Sequence, residues 1–168
     1  DGGAPTVASV TTPSATYYRA ATIPAPFSGS AADDSSGQGI ASDTTTFRLQ
    51  RMSDSQYWTG STYATAATNL STTHAGTTDG TTASWNSSSS LPSWTDGVYR
   101  TQAQATDRAG NQTAGSLVTF TYNATSPTTP SSVSVTADGT TGAGQRWVSS
   151  TSQLSVSWVA STDATSGV

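Results

Sequence analysis

The sequence predicts an all-β protein, built as an antiparallel β-sandwich, and three observations predict it. Of the 168 residues 62 are Ser or Thr, and Glu, Lys and Cys are absent. The best helix formers therefore give way to Thr, Val, Tyr and Trp, which fit pleated and half-buried strands. Several segments alternate apolar and polar residues with a period of two. Clusters of Asp, Ser, Gly and Asn separate these segments and turn the chain. The length suits one domain of ordinary size plus a remainder, or two small domains.

The elements follow in order. Residues 6–12 (TVASVTT) alternate, with Val7 or Val10 available to a core, and 25–32 (APFSGSAA) place Phe27 and small residues on one side. The segment DDSSGQG at 33–39 is turn chemistry. It leads into TTTFRLQRM, where Phe47 and Leu49 face one way and Arg48 and Gln50 the other. Residues 53–65 (SDSQYWTGSTYAT) read as a hairpin carrying Tyr57, Trp58 and Tyr63 around Thr59 and Gly60. Residues 67–93 are low-complexity Ser, Thr and Asn, broken by Trp85 and Leu91, and Trp94 follows at once.

The most informative stretch is 96–122. Tyr99, Thr101, Ala103 and Ala105 alternate with Arg100, Gln102, Gln104 and Thr106; Asp107 to Asn111 turn the chain; Val118, Phe120 and Tyr122 alternate on the return. This is a hairpin with one buried face, with Tyr99, Ala103, Ala105, Val118 and Phe120 pointing inward. Asp96-Gly97 ahead of Tyr99 resembles the tyrosine corner of immunoglobulin-like sandwiches, in which the phenol bonds back to preceding backbone. The run filled by Asp96, Gly97, Tyr99, Ala105, Asp107, Ala109, Gly110 and Asn111 resembles the closing hairpin of bacterial immunoglobulin-like repeats of large cell-surface and adhesin-type proteins. Ala4-Pro5, the Asp33 to Gly37 turn and the Tyr57-Trp58-Gly60 hairpin are similar to other parts of such repeats, so the resemblance covers about residues 4–123. It implies an immunoglobulin-like sandwich with a scaffold or adhesion role.

An internal repeat points the same way. PSSVSVT at 130–136 echoes PTVASVT at 5–11, and 154–168 echo 27–40. The expected organisation is a sandwich over residues 1–123, a Pro/Thr/Ser linker at 124–132 and the first strands of a second, incomplete module over 133–168. In that second module Val133 and Val135, then Leu154, Val156 and Trp158, alternate. Two strands cannot cover their own apolar face, so this segment is expected either to be the beginning of a longer polypeptide, covered by a neighbouring repeat, or, less commonly, to be completed by strands of another copy of the chain through strand complementation.

Composition removes most chemistry. Without Cys or Lys there is no thiolate nucleophile and no Schiff base, and with His74 the sole histidine there is no multi-histidine metal centre. No nucleophile-elbow motif is present, and no enzyme activity is expected. Among surface repeats similar to this one, Lys–Asn isopeptide cross-links are excluded by the missing Lys, and a Thr–Gln ester has no assignable acid and base. The six arginines are scattered and the net charge is −4, which argues against nucleic acid as a partner. No apolar run is long enough to cross a bilayer, and the opening Asp-Gly-Gly-Ala-Pro reads as a mature or excised piece past any signal peptide. Asn69, Asn86, Asn111 and Asn123 all stand in the acceptor pattern for N-linked sugar, although asparagines of this kind also serve simply as turn formers. With the hydroxyl-rich, Cys-free composition the expected address is extracellular, secreted or at the cell surface.

Two candidate sites follow. The sandwich that the resemblance implies brings the loop after its second strand beside the closing hairpin turn, so Asp33, Asp34 and Asp107, with Asn111 near, form an oxygen cluster suited to calcium; the same residues are ordinary turn formers. Tyr57 and Trp58, with Trp85 and Trp94, offer a stacking platform for a sugar, or else core. His74, in a polar loop, is expected to be solvated. The function expected is a structural or adhesive extracellular module; the alternative is a carbohydrate-binding accessory module of a secreted enzyme, with polysaccharide as the partner.

Overall fold

The computed structural model describes residues 2–136, 139–140, 146–147 and 155–167; Leu154 lies outside them. The chain divides into two compact units, Asp1–Ala124 and Thr125–Val168. The first is an all-β sandwich. Its strands are β1 (Val7–Thr12), β2 (Tyr17–Tyr18), β3 (Ser28–Ala32), β4 (Thr46–Arg51), β5 (Gln56–Trp58), β6 (Tyr63–Ala64), β7 (Leu70–Thr73), β8 (Ala83–Ser87), β9 (Gly97–Thr106), β10 (Gln112–Ala114) and β11 (Val118–Tyr122). They run β1-β3-β8-β7-β4-β9-β11-β2, with β5 and β6 added beside β4 and β10 beside β9. Every pairing in this unit is antiparallel except that of β2 with β11.

The sheet curls into two layers at β7. Leu70 and Ser71 pair with β4, whereas Thr72 and Thr73 pair with β8, so one short strand belongs to both layers. Period-2 alternation fills the space between them: Phe47 and Leu49 of β4, Trp85 of β8, Tyr99, Ala103 and Ala105 of β9, Phe120 of β11 and Ala31 of β3 are buried. Rings span the layers. Phe47 stacks on Trp85 at 5.9 Å, and Phe27 meets Phe47 at 6.1 Å and Phe120 at 5.9 Å. Such pairs add roughly 0.5–1.5 kcal/mol each beyond area burial, which matters in a core with few large aliphatic residues.

Two glycines permit this packing. Trp85 lies across β3 at Gly29 and donates its Nε1–H to the Ser9 carbonyl at 3.2 Å. A Cβ on Gly29 would stand 1.8 Å from that carbonyl oxygen and 2.5 Å from the indole. Gly115, in the gap between β10 and β11, donates to the Ala103 carbonyl, and a Cβ there would stand 1.6 Å from the Ala8 oxygen. That gap divides the return strand of the hairpin, and Val118 just beyond it is half-buried.

The Tyr99 phenol bonds back to the backbone just ahead of its strand. The Tyr99 hydroxyl donates to the Thr95 carbonyl at 2.9 Å and lies 3.3 Å from the Thr95 N–H, which donates to it. The supposedly featureless stretch 67–93 holds β7 and β8, whose burial alternates residue by residue.

In the second unit β12 (Ser131–Thr136) pairs antiparallel with β15 (Ser155–Val159), and β13 (Gly139–Thr140) pairs with β14 (Arg146–Trp147). Val133, Val156 and Trp158 are exposed, Trp158 by 60%.

Candidate functional site

The loops expected to meet do meet at one end of the sandwich. Ile40 bridges to Asp107, and Arg108 N–H donates to the Gly39 carbonyl at 3.1 Å. Asn111 Nδ2–H donates to the Gly3 carbonyl at 2.9 Å, and Gly3 lies against the Asp34 carboxylate. The carboxylates themselves serve the backbone. Asp33 is buried and accepts from the N–H groups of Asp34 and Gly39, both at 2.9 Å. Asp34 accepts from the N–H and hydroxyl of Ser36, and these bonds hold its carboxyl below the ordinary carboxylate range. Asp107 accepts from Asn111 N–H and from its side-chain amide, both at 2.8 Å. Burial pushes the Asp107 carboxyl up, but the Asn111 side chain and surrounding backbone N–H groups outweigh it and hold the group low. Among the described residues no three His, Cys, Asp or Glu side chains are grouped to hold a metal ion.

His74 corrects the expectation of a solvated loop residue: it is buried. Its Nε2 accepts the Thr45 N–H at 3.1 Å and its Nδ1–H donates to the Ala75 carbonyl at 2.9 Å. A buried backbone N–H needs a partner, and β4 begins immediately after the one that His74 serves. No sequence signal marks this, because both ring contacts are to main chain.

The aromatic set divides. Trp85 and Trp58 are buried, Trp94 packs partly buried against the core, and Trp58 donates its Nε1–H to the Ser90 carbonyl at 2.6 Å. Tyr57 instead lines an open groove on the outward side of the second layer, with Arg48, Gln50, Arg100, Gln102 and Leu117. The alternation in β4 and β9 placed those polar side chains outward. The pairing of residues 46–51 with 99–104, which makes them neighbours, is long-range and has no local signal. At the end of β4 Arg51, on the opposite face from Gln50, binds Asp54 through two bonds, at 2.6 and 3.2 Å, and covers the Tyr63 ring at 3.9 Å. Burial pushes the Tyr63 phenol far above its ordinary range.

No protein family, curated protein or solved structure matches the chain. The site therefore has to be read from its own chemistry. Of the four acceptor-pattern asparagines, Asn86 and Asn69 are exposed on or beside strands, and Asn123 and Asn111 are half-buried. Asn69 accepts from Arg48 Nε–H at 2.6 Å and donates to Gln104 at 3.1 Å. The Asn111 amide nitrogen is bound to both Asp107 and Gly3. Among the described residues no helix is long and apolar enough to cross a membrane.

Proposed function

We propose that the chain is part of an extracellular array of immunoglobulin-like β-sandwich repeats, with a structural or adhesive role and no catalysis. The observation that carries this reading is one strand pair repeated at matched register. A shift of 125 residues carries Ser9 to Ser134 and Val10 to Val135, and a shift of 127 carries Ser30 to Ser157 and Gly29 to Val156. The pairs Ser9–Ser30 and Val10–Gly29 of β1 and β3 recur as Ser134–Ser157 and Val135–Val156 of β12 and β15. Each pair runs on into an Asp-headed turn, in which Asp34 accepts from Ser36 N–H and Asp163 from Thr165 N–H. The strand order, the parallel β2 beside β11 and the tyrosine corner support the immunoglobulin-like reading.

The repeated pair also differs in an informative way. In the first unit its inward face carries Val10 beside three small residues, Ala8, Gly29 and Ala31, which leave room for Trp85 above Gly29. In the second unit the matching positions are Val133, Val156 and Trp158, so the bulk is supplied from the pair itself. Such a face is suited to a facing layer of strands, as β9 faces β1 and β3 in the first unit. The hydroxyl-rich surface and the acceptor-pattern asparagines support an extracellular address.

A structural role predicts resistance to tension. Strands β2 and β11 run parallel, and Thr121 N–H to Thr16 and Asn123 N–H to Tyr18, both 2.8 Å, tie them together. Pulling the chain by its two ends shears this pair, loading its bonds together instead of one after another. Single-molecule stretching of the whole chain should show the first unit opening in one step that releases about 40 nm of chain. Asn123→Pro, which removes one of those donors, should lower the force of that step. Gradual extension without a step, or an unchanged force in the variant, would contradict the reading.

A further inference from the structure

The outward face of β4 and β9 carries chemistry that the array reading does not use. Tyr57 of β5 lies opposite Gln50, Gln50 opposite Arg100, and Arg100 opposite Thr119 of β11, while Arg48 lies opposite Gln102. Directly paired residues share a face of the sheet, so four strands contribute one row of phenol, carboxamide, guanidinium and hydroxyl, spanning about 14 Å at ordinary strand spacing. Arg48 sits diagonally from Arg100.

The polar groups of this row are held but not used up. Gln50 Nε2–H donates to the Ser55 carbonyl at 3.0 Å and Gln102 Nε2–H to the Gly115 carbonyl at 2.8 Å, which fixes both amides and leaves their oxygens open. Arg48 uses only Nε, on Asn69. Among the described residues Arg100 has no hydrogen bond or ion pair. No carboxylate lines the groove, and Asp54, in the turn after β4, is occupied by Arg51. In a chain of net charge −4, two guanidinium groups without acids on one face form a local positive site.

We infer that this groove binds an acidic saccharide, one uronate unit of an anionic polysaccharide. The two guanidiniums are placed to take the carboxylate, since arginine's planar fork matches that group. The fixed amide oxygens and the Thr119 hydroxyl suit sugar hydroxyls, and Tyr57 with the exposed Leu117 offers apolar surface to the ring's C–H face. A saccharide presents a hydroxyl on nearly every ring carbon to those oxygens, whereas an acidic peptide presents only its backbone N–H groups.

The test is a titration of the ¹⁵N-labelled whole chain with trigalacturonate, followed by backbone shifts, with maltotriose and triaspartate in parallel. Trigalacturonate should shift the signals of Arg48, Arg100 and Gln102 saturably, and less so as salt is raised. Arg100→Gln should weaken binding about tenfold or more, the loss expected for a charged hydrogen bond. Arg19→Gln, at an exposed arginine elsewhere, should leave binding unchanged, with both variants melting as the parent does. Tyr57→Ala should weaken it as well. Absent shifts, equal affinity of Arg100→Gln and the parent, or equal binding of maltotriose would overturn the inference; tighter binding of triaspartate would reassign the groove to acidic peptides.

Discussion

Replacing Tyr99 with Phe deletes one oxygen at the tyrosine corner and leaves the ring where it is. The ring keeps its stacking on Phe120, 5.7 Å away at 17°, and its edge contact with Trp94 at 5.0 Å. What is lost is a donated bond to the Thr95 carbonyl at 2.9 Å and two longer contacts, with the Thr95 N–H at 3.3 Å and its hydroxyl at 3.1 Å. A neutral hydrogen bond contributes about 1 kcal/mol net. The two longer contacts count for less, and Thr95 is exposed, so water replaces part of the loss. The expected cost is about 1.5 kcal/mol, which for a unit of this size lowers the melting temperature by roughly 5 °C. Urea unfolding should show a lower midpoint with an unchanged slope. A loss below about 0.5 kcal/mol would show that the corner closes by packing alone; a loss above about 4 kcal/mol would show that the ring had moved.

His74→Ala removes the acceptor of the Thr45 N–H and opens a cavity, so a loss of about 2–4 kcal/mol in urea unfolding is expected; a loss under 1 kcal/mol would put the ring back in solvent. Asp107 has a folded-state pKa lowered below its unfolded value. Its contribution is therefore fully present above about pH 4 and is lost as the pH falls through the folded value. Asp107→Asn should melt lower than the parent at pH 6, and the gap should narrow steadily as the pH is taken below about 4; two curves that stay parallel through the acid range would refute the assignment.

The hairpin of β9 and β11 was legible in the sequence because its inward positions, Tyr99, Ala103, Ala105 and Phe120, are apolar and its outward ones polar. Strands β7 and β8 were not. They alternate as strictly, but Thr72 takes an inward position and Ser, Thr and Asn take the outward ones, so hydroxyl residues stand on both faces. Trp85, the largest completely buried side chain among the described residues, thus sat in what reads as low complexity. The parallel pairing of Tyr17 and Tyr18 with β11 joins residues more than a hundred positions apart, and nothing local announces it. The two aspartate loops were expected to converge only through the resemblance to an immunoglobulin-like sandwich, because turn residues mark a loop and not its neighbour; how far their carboxylates would be absorbed by their own backbone N–H groups depends on loop geometry that spacing does not define. The groove around Arg100 escaped for the same reason as β2: its residues are adjacent only after β4 and β9 have paired.

The central claim is that one strand pair recurs at matched register, and the absence of Cys makes it directly measurable. Ser9→Cys with Ser30→Cys in the first unit, and Ser134→Cys with Ser157→Cys in the second, place thiols at directly opposed positions within reach of a disulfide. Under mild oxidation of the monomeric chain both pairs should cross-link, whereas Ser134→Cys with Trp158→Cys, which sets the two thiols on opposite faces of the sheet, should not. Cross-linking of the offset pair in preference to Ser134→Cys with Ser157→Cys would contradict the repeat.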